Sequence, residues 1–291
     1  MSAQDAPSAA RAVERYRLEP GGSVTGELRV PGDKSISHRA LMLGGIGEGT
    51  TVVSGFLASE DCLATLIALE ALGVAIERPE RERVIVRGRG LDGLKAASRP
   101  LDMGNAGTAM RLFMGLLAGR PFDSTLVGDE SLMRRPMERV AAPLRQMGAR
   151  IATENGRPPI RIQGGGSLHA IDYRLPVASA QVKSAILLAG LTASGETCVT
   201  EPAPTRDHTE RMLAAFGARV ERRGATAALA GGQRLRGAHI EVPADFSSAA
   251  FFLVAGCLAA RGGLTLKGVG INPTRTGLLE MLRAMGADIR V

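Results

Sequence analysis

The chain has 291 residues, of which 45% are apolar, 22% charged and 3% aromatic, and its formal net charge is +7. This length predicts about two globular domains, and so few rings exclude a surface that stacks nucleobases. The basic residues are spread along the chain without a run of five or six, which favours small anionic ligands over nucleic acid. We therefore expect no nucleic-acid partner and no membrane association.

The three cysteines, Cys62, Cys198 and Cys257, are far apart in the sequence. No CxxC motif and no Cys/His cluster is present, which excludes a zinc site and a disulfide framework. We expect three buried, reduced thiols in a cytoplasmic protein that uses neither metal nor cofactor.

In chain order, residues 1–19 have no apolar core segment and predict a short disordered lead rather than a signal peptide. A strand at 28–30 then leads into a helix at 35–43, a strand at 50–53 and a second helix with apolar residues at helical spacing. Gly73 ends that helix, and strands follow at 74–77 and 84–86. The unit is helix, strand, helix, strand, with hairpin strands between units.

The same unit recurs three more times along the chain. Further first helices are predicted at 105–117, 179–191 and 247–258, and strands at 124–127, 196–199 and 263–266. The terminating glycines, Gly73, Gly148, Gly217 and Gly286, are 75 (148−73), 69 (217−148) and 69 (286−217) residues apart. Strands follow each of them, the last at 287–290. The apolar run 249–260 is too short to cross a membrane and predicts a core helix.

Three of the first helices begin in polar or basic motifs. The first motif, residues 31–39, places Lys34, Ser35 and Arg39 where backbone N–H groups of a helix N-terminus favour anions. The second, residues 102–111, has two glycines that allow a ligand to approach, with Asn105 and Thr108 as donors. In each, a capped helix start with solvated side chains is the alternative.

Three further motifs carry polar groups. Residues 131–137 would place one of two adjacent arginines over a cleft, and residues 179–184 offer Ser179, Gln181 and the charge of Lys183. In the motif 205–210, Arg206 is a candidate anion ligand, whereas His208 is interpreted as a capping or packing residue rather than a base.

The motif GxGxxG at 88–93 follows a strand but precedes no convincing helix, so we reject a dinucleotide site there. If the units pack around an axis, the helix N-termini converge. The predicted result is an anion site without a metal or an obvious nucleophile, built from Lys34, Arg39, Asn105, Arg135, Gln181 and Arg206.

These motifs resemble those of the 5-enolpyruvylshikimate-3-phosphate (EPSP) synthases over residues 18–291, in the segments 32–39, 104–111, 128–136, 179–184 and 205–211. The resemblance implies an inside-out α/β barrel of six βαβαββ repeats, four of them present here. It implies transfer of the enolpyruvyl group of phosphoenolpyruvate to the 5-hydroxyl of shikimate-3-phosphate, with release of phosphate. It also implies a cytoplasmic monomer for the full-length family, although this chain could associate.

The resemblance also implies roles for individual residues. Lys34 would be catalytic and would contact both substrates. The shikimate-3-phosphate ligands would be Lys34, Ser35, Arg39, Ser179, Ala180, Gln181 and Arg206, and the phosphoenolpyruvate ligands would be Lys34, Asn105, Gly107, Thr108, Arg135 and Gln181.

The family pattern implies two domains. Residues 33–237 would form a complete first domain of three repeats, and residues 1–32 and 238–291 one of the three repeats of the second. The general acid and base carboxylates would lie in the two missing repeats, so the chain looks truncated, inactive alone and open at its last strand. The motifs at 179–181 and 205–208 look like the family's second class, often tolerant of glyphosate, whereas Gly107 is typical of sensitive members, which leaves the inhibitor response open.

Three alternatives remain at this point. A relative that transfers enolpyruvate to UDP-N-acetylglucosamine is disfavoured by the Lys-Ser-x-Ser-His-Arg motif and by the lack of a cysteine between 104 and 136. A protein that only binds shikimate-3-phosphate would show binding without turnover. A basic nucleic-acid binder would show steeply salt-dependent affinity for DNA.

Overall fold

The computed structural model describes residues 17, 19 and 21–291, so the predicted disordered lead lies almost entirely outside the described residues. Asp33 starts the first helix, because its carboxylate accepts a hydrogen bond from the Ile36 amide at 2.8 Å. The first unit, with the strand before it, consists of β1 (Val24–Leu28), α1 (Lys34–Ile46), β2 (Glu48–Ser54), α2 (Glu60–Ala71), β3 (Ala75–Glu80) and β4 (Arg83–Arg89).

The second unit begins with a tight turn that delays its first helix. Asp102 accepts a hydrogen bond from the Gly104 amide at 2.8 Å, and Gly104 has φ of 52°. The helix therefore begins at Gly107 rather than at the predicted residue 105. The elements are β5 (Leu101–Asp102), α3 (Gly107–Leu117), β6 (Ser124–Val127), α4 (Glu130–Met133), α5 (Glu138–Gln146), β7 (Arg150–Glu154) and β8 (Arg157–Gln163).

The third and fourth units follow the same order. All four terminating glycines adopt φ between 89° and 96°, which confirms them as helix C-terminal signals. The elements are β9 (Asp172–Arg174), α6 (Ala180–Gly190), β10 (Glu196–Thr200), α7 (His208–Ala215), β11 (Val220–Arg223), β12 (Thr226–Ala230), β13 (His239–Glu241), α8 (Phe246–Ala259), β14 (Ala260–Leu266) and α9 (Gly277–Ala284).

Three four-stranded sheets share one topology. Their orders are β13-β2-β4-β3, β5-β6-β8-β7 and β9-β10-β12-β11; in each, the first pair is parallel and the others are antiparallel. Each sheet is open, so none closes into a barrel by itself. The helices α1, α3 and α6, one from each unit, are buried almost throughout. Helices inside and sheets outside give the predicted inside-out arrangement.

Two strands, β1 and β13, pair with a strand of a different unit from the one whose first helix they precede. β1 precedes α1 but pairs with β14, whereas β13 precedes α8 but pairs with β2. The two crossing segments hydrogen-bond to each other, since Asp33 N donates to Pro243 O and Asp245 N to Pro31 O, both at 2.8 Å. Gly32 lies in this crossing, where a Cβ would come within 2.0 Å of the Gly55 carbonyl oxygen.

Four local predictions were wrong. The strand predicted at 28–30 forms at 24–28, because Val30 instead packs in a small apolar cluster with Ala244 and Ala249. No strand forms at 287–290. In the first unit the corresponding strand, β3, pairs with the next strand, β4, and the described residues contain no such partner for 287–290. The run predicted as a core helix forms α8, but only Phe246 and Ala249 are buried in it. Cys257 on α8 is consequently exposed and Cys198 is half-buried, so only one predicted thiol is buried.

Candidate active site

The N-terminus of α1 presents the first group of polar side chains. Lys34 is half-exposed, and its Nζ lies 2.8 Å from Asp61 Oδ2. Ser35, the next residue, accepts a hydrogen bond through Oγ from Arg206 Nη1 at 3.2 Å. The structure therefore brings Ser35 together with Arg206, which is 171 residues away in sequence.

Arg39 is buried behind this helix end and joins three helices. Its Nε donates to Thr209 Oγ1 at 2.7 Å, its Nη2 to Ser184 Oγ at 2.9 Å and its Nη1 to the Ser35 carbonyl at 2.9 Å. Burial, and next Arg206, lower the pKa of Arg39 to about 10, which leaves it charged at neutral pH. All three guanidinium nitrogens have protein partners, so this arginine organises the site whether or not it also contacts a ligand.

A second group lies where α3 and α6 begin. Gln181 bridges the two helices, because its Oε1 accepts from Arg111 Nη1 at 3.0 Å and its Nε2 donates to Thr108 Oγ1 at 2.9 Å. Arg135, which follows α4, donates to Oδ1 of Asn105, which precedes α3. Between them lies Gly107, where a Cβ would stand 3.0 Å from Arg135 Nη1 and 3.1 Å from Arg111 Nη1.

The arginines of these groups, unlike Lys34, are not paired with protein carboxylates among the described residues. Among the residues that the structure describes, Arg39, Arg111, Arg135 and Arg206 form no salt bridge, whereas surface arginines such as Arg134, Arg161, Arg223 and Arg234 do. Burial, and next Arg139 and Arg135, lower the pKa of Arg111 to about 10. The pKa of Arg206 is also lowered, by burial and by Arg275. Such mutual repulsion favours binding of an anion.

The two histidines near the site are neutral at neutral pH. Burial, followed by Arg39, lowers the pKa of His38 to about 3 and that of His208 to about 4. His208 is the first residue of α7 and is buried. This environment agrees with a packing role and not with a base.

Two of the predicted site residues have structural roles. Ser179 caps α6 through the Val182 amide, and Ala180 accepts from Ser184 Oγ through its carbonyl. Lys183, which was predicted to offer a charge, is completely buried, and its Nζ lies 2.7 Å from Glu201 Oε2 and 2.7 Å from Glu210 Oε1. Its charge is therefore not available to a ligand.

Sequence reasoning missed Arg111, although a signal existed. Arg39, Arg111 and Ser184 lie five or six residues into their helices, and each donates to the carbonyl four residues earlier. Aligning the three units at their helix starts would have pointed to this position.

The described part of the chain has no group of three or more His, Cys, Asp and Glu residues arranged to hold a metal ion. Within the same residues, no helix has the length and apolar character needed to cross a membrane.

Together, the repeated units and the unpaired arginines at their helix starts define an α/β protein with a candidate site for small anions. The family model for EPSP synthase (3-phosphoshikimate 1-carboxyvinyltransferase) matches residues 18–291. The chain belongs to the EPSP synthase family, as its motifs predicted.

Relatives and a solved structure agree with this assignment. A 3-phosphoshikimate 1-carboxyvinyltransferase of Halorhodospira halophila is 62% identical over 96% of this chain and 63% of its own. One of Alkalilimnicola ehrlichii is 61% identical over 95% of this chain and 62% of its own. The structure of EPSP synthase from Acinetobacter baumannii is 56% identical, with a TM-score of 0.87 over 92% of this chain and 61% of that chain.

The match confirms the predicted inside-out α/β fold and does not favour the UDP-N-acetylglucosamine alternative. The chain spans about 62% of the length of the curated relatives that it matches.

Proposed function

We propose that this chain provides the shikimate-3-phosphate site and part of the phosphoenolpyruvate site of an EPSP synthase. The reaction transfers the enolpyruvyl group to the 5-hydroxyl of shikimate-3-phosphate and releases phosphate. The observation that carries the proposal is the convergence of Ser35, Arg206, Gln181, Arg111 and Arg135 at adjoining helix starts without neutralising carboxylates.

The group around Ser35 and Arg206 suits shikimate-3-phosphate. A guanidinium and hydroxyls at a helix N-terminus bind phosphate and carboxylate well. The group around Gly107, with Asn105, Thr108, Gln181 and Arg135, suits phosphoenolpyruvate, a smaller anion. Lys34 belongs to the group at the start of α1 and would act near the reacting hydroxyl.

The domain division is part of the proposal. β13 lies beyond the expected boundary at 238 and pairs with β2, and Val242 packs in the larger of the two apolar clusters. We therefore place the end of the first domain after Val242, with its start at residue 33 unchanged. A cytoplasmic location and a monomeric full-length form belong to the same proposal.

Three carboxylates that could serve acid–base chemistry near Lys34 already have protein partners among the described residues. Asp33 caps α1, Asp61 pairs with Lys34, and Asp245 caps α8. General acid and base groups typically contribute roughly 10²–10⁴-fold each to a rate. We therefore expect the chain alone to bind shikimate-3-phosphate but not to turn it over.

The test is phosphate release from phosphoenolpyruvate by the purified, folded chain, with and without shikimate-3-phosphate. The expected result is no release above background in either case. Release that requires shikimate-3-phosphate would show that residues of this chain supply the acid and base, and variants of Asp61 and Asp245 would then identify them.

A further inference from the structure

Lys183 lies at the centre of a buried group of charges. Its side chain is 0% exposed, and it forms ion pairs with Glu201 and Glu210, whose side chains are 3% and 5% exposed. The Nζ donates to Glu201, whereas its approach to Glu210 is close but not aligned as a hydrogen bond. Burying a lysine is costly unless it is paired. We call these three residues the Lys183 cluster.

The segment that follows Glu201 has little backbone support. Residues 201–207 connect β10 to α7, and Pro202 and Pro204 have no amide hydrogen to donate. No described residue from 202 to 206 takes part in a backbone hydrogen bond. Side chains must therefore hold this segment.

One side-chain contact ties the segment to the Lys183 cluster. The Thr205 hydroxyl donates to Glu201 Oε1, while Glu201 Oε2 accepts from Lys183. Thr205 directly precedes Arg206, whose guanidinium reaches Ser35. The chain of contacts runs from the buried lysine through Glu201 and Thr205 to the arginine.

We infer that the Lys183 cluster and Thr205 form a positioning device that holds Arg206 against Ser35 in readiness for the phosphate of the ligand. Because it names Arg206 as a phosphate ligand, this inference rests on the proposed function. The device is needed because Arg206 has no carboxylate partner within the described residues, so its position depends on the segment that carries it and on its contact with Ser35. A preorganised arginine loses less conformational entropy when it binds.

The test uses Thr205→Val in the 291-residue protein, because Lys183 variants could fail to fold. Valine keeps the shape and removes the hydroxyl. Thr205→Ser retains the hydroxyl as the conservative variant. Thr200→Val is the matched control, since Thr200 is also half-buried and its hydroxyl hydrogen-bonds to that of Thr226, at 2.8 Å, and not to Glu201.

Two readouts separate the inference from the proposed function. Calorimetry with shikimate-3-phosphate should show roughly 3- to 10-fold weaker binding for Thr205→Val, and wild-type binding for Thr205→Ser and Thr200→Val. Side-chain ¹⁵N relaxation of the Arg206 Nε–H group, measured without ligand, should show greater mobility in Thr205→Val alone.

If both readouts are unchanged in Thr205→Val, the positioning role is overturned. If relaxation changes while even the wild type fails to bind shikimate-3-phosphate, the positioning of Arg206 stands and the proposed ligand is wrong. Equal effects of Thr200→Val would reduce the result to general loosening of β10 and would also overturn the inference.

Discussion

Gly107 leaves room for two guanidinium groups at the start of α3. A methyl group there would stand 3.0 Å from Arg135 Nη1 and 3.1 Å from Arg111 Nη1, closer than side chains normally approach. Gly107→Ala should therefore displace Arg135 and weaken phosphoenolpyruvate binding about tenfold, while shikimate-3-phosphate binding is kept. Calorimetry with phosphoenolpyruvate, in the presence of saturating shikimate-3-phosphate, measures this.

Gly277→Ala is the matched control, because Gly277 begins α9 and a Cβ there meets nothing within 4 Å. Unchanged phosphoenolpyruvate affinity in Gly107→Ala would contradict the prediction, because it would show that the space between Gly107 and Arg135 does not affect binding of this substrate.

His38 and His208 make stability depend on pH. Burial holds their folded-state pKa values at about 3 and about 4, against 6.5 when unfolded. The unfolded chain therefore takes up protons first, so the stability that both provide is complete above pH 6.5 and is lost as the pH falls toward those values. Each should cost about 1.4 kcal/mol between pH 7.5 and pH 5.5.

Urea unfolding at pH 7.5, 6.5, 6.0 and 5.5 checks this, because most carboxylates titrate below that range. His38→Gln should reduce the slope of stability against pH. An equal slope in the variant would mean that His38 is accessible to protons in the folded state.

At the scale of elements, the Lys183 cluster joins α6 to α7 and to the end of β10. Lys183→Met leaves two buried carboxylates without a cation and should destabilise the protein by about 3–5 kcal/mol. The triple variant Lys183→Met, Glu201→Gln, Glu210→Gln should recover much of that loss, because no charge remains within the Lys183 cluster itself. Denaturant unfolding measures both.

Lys267→Met is the control, since Lys267 pairs with Glu27 at the surface and both side chains are 57% exposed. Its loss should stay below about 1 kcal/mol. A similar small loss in Lys183→Met would contradict the burial of this lysine.

The elements themselves were largely predictable from the sequence. The repeated glycine terminators and alternating strands are local signals, and the helices α1, α3 and α6 begin within two residues of the predicted starts. The partners of the site residues were not predictable from local signals, because Arg39 meets Thr209 and Ser184 from other units. For the same reason Lys183, which looked accessible in its motif, turned out to be buried.

At the scale of the whole molecule, α8 and α9 leave apolar side chains uncovered. Phe251, Leu258 and Met285 are 79%, 82% and 80% exposed. Apolar patches of this kind promote association. We expect the purified chain to self-associate with increasing concentration, and the double variant Phe251→Glu, Leu258→Glu to remain smaller in analytical ultracentrifugation.

Val177→Glu provides the control, because Val177 is 71% exposed but belongs to the loop between β9 and α6 and not to α8 or α9. It should associate as the wild type does. A monomeric wild type at all concentrations would contradict the prediction.

The measurement that tests the account most directly is calorimetric titration of shikimate-3-phosphate into the wild-type chain and into Arg206→Gln. Arg219→Gln, which removes the same charge from a surface arginine that is 84% exposed, is the control. We predict one site per chain, affinity roughly 10- to 100-fold lower in Arg206→Gln, and wild-type affinity in Arg219→Gln. No binding by the folded wild type, or equal affinity in all three proteins, would contradict the placement of the phosphate site between Ser35 and Arg206.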